Sequence, residues 1–584
     1  MCGIFGVTND PDAAQTILAG LKRLEYRGYD SWGIAVKDHL RLKLEKHVGK
    51  ISLSRTHLPS SHFGVGHTRW ATHGGVTQAN SHPHLDCSGK LAIVHNGIVD
   101  NWATLKKELK GHHLSSQTDS EIIAHLIERE LPKGDLLSAC QKTFKRLQGL
   151  NAIIVFHQDY PYLVAAKSGS PLVIGVNPGN HLISSDTASL LPLTNKVIYL
   201  EDNQIAQIFP DLVKIMSLTK QSPIKPRINI INWQAKQADK GKFAHFMLKE
   251  IYEQSQIIDL LARSKLYETE QLAKRITQAD QVFTVACGTA FYAALAGQYF
   301  FSRIAKRQII PAIGSEFYYH ADFLNKKSLL IALSQSGETI DTVQSIQHAQ
   351  KAGCRVIGLV NVPGSTISRL SNQTLLLEAG PEKAVASTKA FLAKLAILLL
   401  TAHQLRHQPQ VGQDELHQAA RVVRRVLHPD HLSRIRALSR KIVSAGNIFV
   451  LGKGQSYPAA LEIALKIKEI SYIHAEGVPS GELKHGPIAL IQKGTPCLVL
   501  APDDETYADI ISSALEVKAR GAYVIGLSPR NNPVFDYWLA VPDCSHASII
   551  PHVVVGQLLA YYLAVKKGFD PDMPRNLAKS VTVK

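Results

Sequence analysis

The sequence predicts a multidomain chain: an α+β domain of packed sheets, followed by two α/β doubly wound parallel-sheet subdomains. The 584-residue length suits about four domains at roughly 150 residues each. Up to about residue 217, short β-type runs such as GIFGVT, WGIAVKD, FGVGHTR, LAIVHNG and NAIIVFH alternate with polar turns and few helices, as in an α+β domain. Beyond that, apolar runs lead into long helical stretches, and the pattern repeats. QVFTVACGTAFYAAL around Gly288 is similar to NIFVLGKGQSYPAAL around Gly454, and QKAGCRVIGLVNVPGS to VKARGAYVIGLSPRNN.

The first domain is expected over 2–217. A linker follows over 218–243, where IKPRINIINWQAKQADKGK is polar and without period. The two repeats are expected over 244–425, with its core at 272–412, and 426–575, with its core at 439–575; residues 576–584 form a tail. The continuous apolar strands of the repeats are those of a parallel sheet covered on both faces. Ligands in that architecture sit at the carboxyl ends of the strands.

A hydrophobic fraction of 45% and a charged fraction of 19% describe an ordinary globular protein. The N-terminus lacks a basic segment leading into a long apolar core, and the most apolar helix-like run, FLAKLAILLLTA, is broken by Lys394 and too short to span a bilayer. A cytoplasmic protein without a membrane partner is expected. The formal charge of +17 comes from Lys and Arg spread along the chain, which favours a solvated surface attractive to anionic small substrates over a nucleic-acid face. The seven cysteines are scattered without a CxxC pair, so reduced thiols are expected and no metal.

One of those cysteines opens the chain, in MCGIFGV. Alone it reads as a small buried hydrophobe. Removal of Met1 would instead give Cys2 a thiol and a free α-amine of pKa near ~8, able to act as base for its own nucleophile. EYRGYDS, GHTRWATHGG, VHNGI and SSQTDSE decide between the two, because each puts polar residues where a strand should end. Singly, Asn96-Gly97 is a common turn pair and Asp119 a helix cap. Jointly with MCGI they resemble the class II, N-terminal nucleophile, glutamine amidotransferase domain, a fold of stacked antiparallel sheets with helices. That resemblance implies Cys2 as nucleophile and an oxyanion hole from the Asn96 side chain and the Gly97 N–H. It implies Arg69 on the glutamine carboxylate and Asp119 on its ammonium group. It also puts Trp70, Thr72, His73 and Gly74 along the pocket or its exit, and Arg27 on a loop that closes over it. Amide hydrolysis needs these types: a nucleophile, donors for the tetrahedral oxyanion, and a guanidinium fork for a carboxylate. His73 with His67, His82 and His84 forms no familiar metal-ligand spacing.

In the second half, SLLIALSQSGETIDTVQSIQHA runs from apolar strand to helix. Ser334, Gln335, Ser336, Gly337 and Thr339 at the junction form either a capped turn or a phosphate cradle, since helix N-termini offer unpaired N–H groups. SQSGET resembles the phosphosugar signature of SIS (sugar isomerase) domains, whose duplication matches the repeat. VASTKAF, ALEIALKIKEISYIHAE, GELKHGP and PRNLAKSVTVK extend the resemblance, from Cys2 to the C-terminus, to the glutamine:fructose-6-phosphate aminotransferase (isomerizing) family.

That family implies glutamine and fructose 6-phosphate as substrates, with ammonia passed between two sites and Trp70 as gate. It implies Thr289 near the phosphate and Val385 and Ser387 on the sugar. Glu469 would carry the proton between the sugar carbons, His485 of a neighbouring subunit would open the ring, and Lys579 would form a Schiff base with the sugar. Lys466 takes an acid/base or charge-tuning role. No cofactor is implied, and shared isomerase sites imply a homodimer. On a helix Glu462, Lys466 and Glu469 share one face, which otherwise reads as an exposed ion-pair stripe worth a few tenths of a kcal/mol. Ala290 stands where the family usually has serine, and Lys383-Ala384 where an Ile-Gly pair is usual. The alternatives are a relative acting on another ketose or a glycated-amine phosphate, or a non-enzymatic sugar-phosphate sensor. The full glutaminase set argues against the first, and the lack of a helix-turn-helix pattern against the second.

Overall fold

The computed structural model describes residues 2–39, 41–231 and 239–582. They fall into two compact units, residues 1–239 with 578–584, and residues 240–577.

The first unit is built on two antiparallel sheets. One has eight strands in the order Asn229–Ile230, Lys196–Tyr199, Val173–Asn177, Asn180–Ser184, Gly3–Val7, Gly64–Arg69, Ser31–Asp38, Arg41–Val48. The other has seven: Pro223–Ile224, Val213–Ser217, Gln204–Ile208, Leu163–Ser168, Asn151–His157, Leu91–Gly97, His84–Leu85. Strand alternation sorts the side chains into layers. Ile4, Val65, Val94 and Ile154 meet in a core between the sheets. Phe5 and Val7 face the opposite way, onto Ile17, Leu18 and Leu21 of the Ala13–Leu24 helix. Ile93, Ile153 and Val155 face Ile122, Ile123 and Leu126 of the Glu121–Glu130 helix. Helix, sheet, sheet, helix is the α+β arrangement the strand spacing predicts, and it brings Gly3–Val7 and Leu91–Gly97 into the two central sheets.

The stretch read as a linker contributes to both sheets. Ile215 pairs with Ile224, and Val197 with Asn229. Pro223 is tolerated because it lies on an edge strand. Residues 232–238 of that stretch lie outside the described residues.

The second unit contains the two repeats, each a five-stranded parallel sheet. In the first, the order is Ile310–Ile313, Gln281–Ala286, Ser328–Ser334, Arg355–Val360, Gln373–Leu376; in the second, His474–Pro479, Asn447–Gly452, Pro496–Leu500, Tyr523–Ser528, Tyr537–Ala540. Both have the order 2-1-3-4-5, so both place their topological switch point between the first and third strands. The repeat extends to the backbone, since Gly288 and Gly454 open their helices with φ of +53° and +55°. Helices Phe246–Ser264, Lys389–Leu405, Ser456–Ser471 and Ile549–Lys566 pack into one core with the strands of both sheets. Ser545–Lys566 has the length and mean hydropathy, 1.6, to cross a membrane, yet 89% of its most apolar window is buried inside the protein. It is a core helix.

Candidate active sites

Cys2 precedes the first central strand, where Gly3 pairs with Thr68. That register puts the Trp70 backbone against the thiol: the Trp70 N–H donates to Sγ at 3.2 Å, and Sγ lies 3.5 Å from the Trp70 carbonyl. Burial raises the Cys2 pKa, while the Trp70 N–H and the Arg69 charge oppose the rise. Met1 lies outside the described residues.

Asn96 and Gly97 end the neighbouring central strand. The Asn96 side chain donates one N–H to the Cys2 carbonyl at 3.0 Å. His67 Nε2 lies 3.0 Å from the His95 carbonyl and 3.2 Å from Asn96 Oδ1; two acceptors at one nitrogen fix the Nε2–H tautomer. The Asn96 amide is thereby held oxygen toward His67 and nitrogen toward Cys2. Gly97 has φ +143°, and a Cβ there would lie 2.0 Å from the Leu150 carbonyl oxygen, so only glycine fits.

Behind Asn96 stands a group of buried histidines, His67, His82, His84 and His95, of which the first three enter the sequence analysis only as possible metal ligands. The His67 and His82 rings stack at 4.0 Å, and His84 meets His82 edge-on at 4.5 Å. His82 Nδ1 accepts the His95 N–H at 3.3 Å, and His95 reaches Ser120 Oγ at 2.8 Å and Asn151 Oδ1 at 2.9 Å. Burial depresses all four, His67 to about 3. They are neutral props. Adjacency to HNG and TRW was the only signal of this role in the sequence.

Asp119, 3% exposed, accepts the Val99 N–H at 2.7 Å and lies 3.5 Å from His73 Nδ1. It ties the end of the Asn96 strand to the start of the Glu121–Glu130 helix. The His73 ring sits 4.8 Å from Trp102. Arg69 donates to the carbonyls of Gly75 at 2.9 Å, His73 at 2.5 Å and Gly74 at 3.1 Å, so the 73–75 loop is folded onto the guanidinium. Gly74 makes that turn with φ +77°. Thr72 is exposed and Trp70 half-buried, its ring edge-on to Tyr29 at 5.6 Å.

Arg27 pairs with Asp186. Its Nε donates to Asp186 Oδ2 at 3.0 Å, with side chains 7% and 14% exposed, and Tyr26 joins both. The pair anchors the turn from which Asp30 accepts the Ala71 N–H at 2.8 Å.

In the second unit, Ser334 ends the strand at the first switch point. Its Oγ accepts the Gly337 N–H at 3.0 Å and lies 3.0 Å from Thr339 Oγ1, while Ser336 Oγ accepts the Glu338 N–H at 3.1 Å. Gly337 has φ +68° and would place a Cβ 1.9 Å from Ser365 Oγ. Among the described residues no side chain caps the Ile340–Lys351 helix, so its first N–H groups and positive dipole end face the cradle. Glu338 directs its carboxylate onto Thr366, at 2.9 Å from N and 2.7 Å from Oγ1. The equivalent turn of the second repeat carries Asp503, Asp504 and Glu505, a set that repels phosphate.

Thr289 begins the helix at the other side of that switch point. Lys466 Nζ donates to Thr289 Oγ1 at 3.0 Å and to Glu469 Oε2 at 2.5 Å, and lies 3.5 Å from Glu462 Oε1. The face that could have been a solvated stripe is interior: Lys466 is 1% exposed, Glu462 0% and Glu469 20%. Burial raises Glu462 to about 8 against the pull of Lys466. Burial alone would lower Lys466, but Glu462 and Glu469 push it up to about 12. At neutral pH the trio holds a neutral Glu462 beside a charged Lys466. Glu462 was named in the sequence only as part of the stripe.

The Glu462 carboxyl binds a proton in the folded state that the unfolded chain, with a value near 4.5, has released. Its stabilisation is complete below about 4.5 and is lost as pH rises toward 8. Glu462→Gln keeps the neutral form, so its melting temperature should gain on the parent between pH 5 and pH 8 and level off above. A difference independent of pH would contradict the neutral assignment.

Val385 and Ser387 lie on the loop before the Lys389–Leu405 helix. Glu382 holds that loop, accepting from Ser387 Oγ at 2.9 Å and from the Thr388 N–H at 2.9 Å; the Val385 N–H donates to the Asp572 carbonyl at 3.0 Å. Both N–H groups of Lys383-Ala384 donate to Glu250, at 2.5 and 3.2 Å, and the Lys383 ammonium lies over the Phe246 ring. Ala290 packs against the helical core. His485 is exposed, closing a short 3-10 helix at Ser480–His485. Lys579 is half-buried in the C-terminal segment, which groups with the first unit.

An N-terminal thiol facing an amide donor, in a chain that also carries a hydroxyl cradle at a parallel-sheet switch point, defines a glutamine amidotransferase coupled to a sugar-isomerase unit. Residues 53–232 match the glutamine amidotransferase domain family, and residues 275–404 and 441–537 match the SIS domain family. The chain is 41% identical to a glutamine--fructose-6-phosphate aminotransferase [isomerizing] of Thermococcus kodakarensis and 41% to that of Aquifex aeolicus, covering 100% of both chains each time. The solved C-terminal domain of glucosamine-fructose-6-phosphate aminotransferase from Francisella tularensis is 35% identical, with a TM-score of 0.53, over 57% of this chain and 99% of that one. The chain belongs to the glutamine--fructose-6-phosphate aminotransferase (isomerizing) family.

Proposed function

We infer that the chain transfers the amide nitrogen of glutamine to fructose 6-phosphate, giving glutamate and glucosamine 6-phosphate. The observation that carries this is the presence, in one chain with full-length relatives of that name, of a Cys2–Asn96 pair and a phosphate cradle beside a buried acid/base trio.

In the first site, Cys2 attacks the side-chain amide, and the Asn96 amide with the Gly97 N–H takes the oxyanion. Removal of Met1 frees the amine that receives the thiol proton. Asp119 takes the substrate ammonium group. Arg69 takes the α-carboxylate by exchanging the carbonyls of residues 73–75 for a charged, bidentate acceptor, so glutamine opens the loop that carries Thr72, His73 and Gly74. Trp70 gates the departing ammonia, which must stay out of water to remain unprotonated.

In the second site, Ser334, Gln335, Ser336, Gly337 and Thr339 hold the phosphate with Thr289, and Val385 and Ser387 contact the sugar. The Lys579 amine condenses with the open ketose carbonyl with loss of water, and ammonia then displaces that amine, leaving the sugar imine and free Lys579. Glu469, held in place by Lys466, then moves the proton between adjacent carbons. The exposure of His485 supports a ring-opening role across a homodimer. Ala290 leaves the cradle hydroxyls at Ser334, Ser336 and Thr339 to bind the phosphate.

Purified protein given glutamine and fructose 6-phosphate should form glucosamine 6-phosphate and glutamate in equal amounts. Absence of the amino sugar under all conditions would overturn the reading. The shared site has its own check: mixed His485→Ala and Glu469→Gln subunits should regain activity that neither pure variant has.

A further inference from the structure

Away from both sites, the first unit gathers four metal-ligating side chains that the proposed reaction does not use. Cys87 Sγ, His112 Nδ1, His125 Nδ1 and a Glu128 carboxylate oxygen all lie within 4.8 Å of one another. Cys87 Sγ is 3.6 Å from His112 Nδ1 and 3.4 Å from His125 Nδ1; Glu128 Oε2 is 2.9 Å from His112 Nδ1 and 3.1 Å from His125 Nδ1. We propose that these four residues form a structural zinc site.

Geometry and donor type agree. A tetrahedral ion with bonds of ~2.0–2.1 Å to nitrogen or oxygen and ~2.3 Å to sulfur keeps its donors roughly 3.3–3.6 Å apart. The sulfur distances, 3.6 and 3.4 Å, lie in that range, and the nitrogen–oxygen distances, 2.9 and 3.1 Å, fall below it, so the Glu128 carboxylate would draw back slightly to admit the ion. One thiolate, two imidazoles and a carboxylate suit zinc over the oxygen-seeking magnesium and calcium. Each histidine aims one Nδ1 at both sulfur and carboxylate, which a single N–H can serve only in part and an ion at the centre serves fully.

The surroundings are those of a metal ligand. His125 is 1% exposed, and its other nitrogen, Nε2, faces Glu121 Oε1 at 3.7 Å with that side chain 2% exposed. Glu121 is itself fixed by the N–H and hydroxyl groups of Ser115 and Ser116, each at 2.7 Å. A carboxylate behind a histidine sets its tautomer and orients the ring toward the ion. Cys87 is exposed, and His112 and Glu128 half-buried, which leaves an entry path.

The four ligands come from three pieces of chain: the turn after His84–Leu85, the loop following the Trp102–Lys106 helix, and the Glu121–Glu130 helix, where His125 and Glu128 are three residues apart. An ion there clamps the helix that begins two residues after Asp119. The expectation of no metal rested on the missing CxxC spacing; this set is dispersed over 42 positions in the sequence, 87 to 128, and only the fold assembles it.

Full-length protein produced with zinc and purified without chelator should carry about one zinc per chain. Cys87→Ser combined with His112→Ala should carry less than about a tenth of that. Chelation should lower the melting temperature of the parent by about 4 °C or more, zinc but not magnesium should restore it, and the double variant should not respond. Cobalt(II) added to stripped parent should give tetrahedral d–d bands with a thiolate charge-transfer band, the latter lost in Cys87→Ser. Parent protein that holds no zinc, takes up no cobalt and melts identically with and without chelator would show a hydrogen-bonded cluster only and overturn the proposal.

Discussion

Cys2→Ala should abolish glutamine use, with kcat for glutamate release falling by about 10⁴ or more, while the ketose–aldose interconversion of the sugar phosphate continues. The size follows from what remains. Asn96, Gly97 and Arg69 can still bind the amide and its carboxylate, but binding and an oxyanion hole without a nucleophile keep only the residual catalysis seen when such a group is removed. Retention of the isomerase activity follows from the residues assigned to it, since Cys2 takes no part in the cradle at Ser334–Thr339, in the trio around Lys466 or in the Lys579 Schiff base. Glutamate release and isomerisation assays on one preparation check both halves. Loss of both activities together would mean that the substitution unfolds the protein; retention of glutaminase activity would remove Cys2 from the mechanism.

Lys466→Met should be the most destabilising substitution in the second unit. It strips the cation from between Glu462 and Glu469 at 1% exposure. Breaking one side of a buried ion pair costs about 3–5 kcal/mol, or about 10 °C in melting temperature. Isomerase kcat should also fall by about 10²–10⁴, the range for a lost acid/base contribution. Adding Glu469→Gln separates the two effects: with the unpaired carboxylate gone, much of the stability should return while the activity stays lost. If stability and activity recover together, Lys466 and Glu469 are structural and the proton carrier lies elsewhere.

Much of this was legible in the sequence, for identifiable reasons. Strand period and turn residues carried the α+β domain, and the Gly288 and Gly454 repeat carried the two parallel sheets, because both are local patterns. Cys2, Asn96, Asp119 and the Ser334–Thr339 turn could be offered as candidates because each lies inside a motif short enough to read. Whether Glu462 and Lys466 face solvent was not legible, since their spacing fits an exposed stripe and a buried trio equally. Only the packing of the Ser456–Ser471 helix against the Thr289 helix decides it. Arg27 shows the converse: its motif is local, but its partner Asp186 is 159 residues away. Shorter separations in sequence also hid the histidines behind Asn96 and the 87–112–125–128 cluster.

The central claim is that one chain makes ammonia from glutamine and delivers it to the sugar. It is tested most directly by supplying glutamine labelled with ¹⁵N at the amide, together with fructose 6-phosphate and an excess of unlabelled ammonium, and reading the isotope in the product by mass spectrometry. The predicted result is glucosamine 6-phosphate carrying ¹⁵N, undiluted by the bulk ammonium. Product whose nitrogen follows the unlabelled pool, or glutamate formed with no amino sugar, would contradict it.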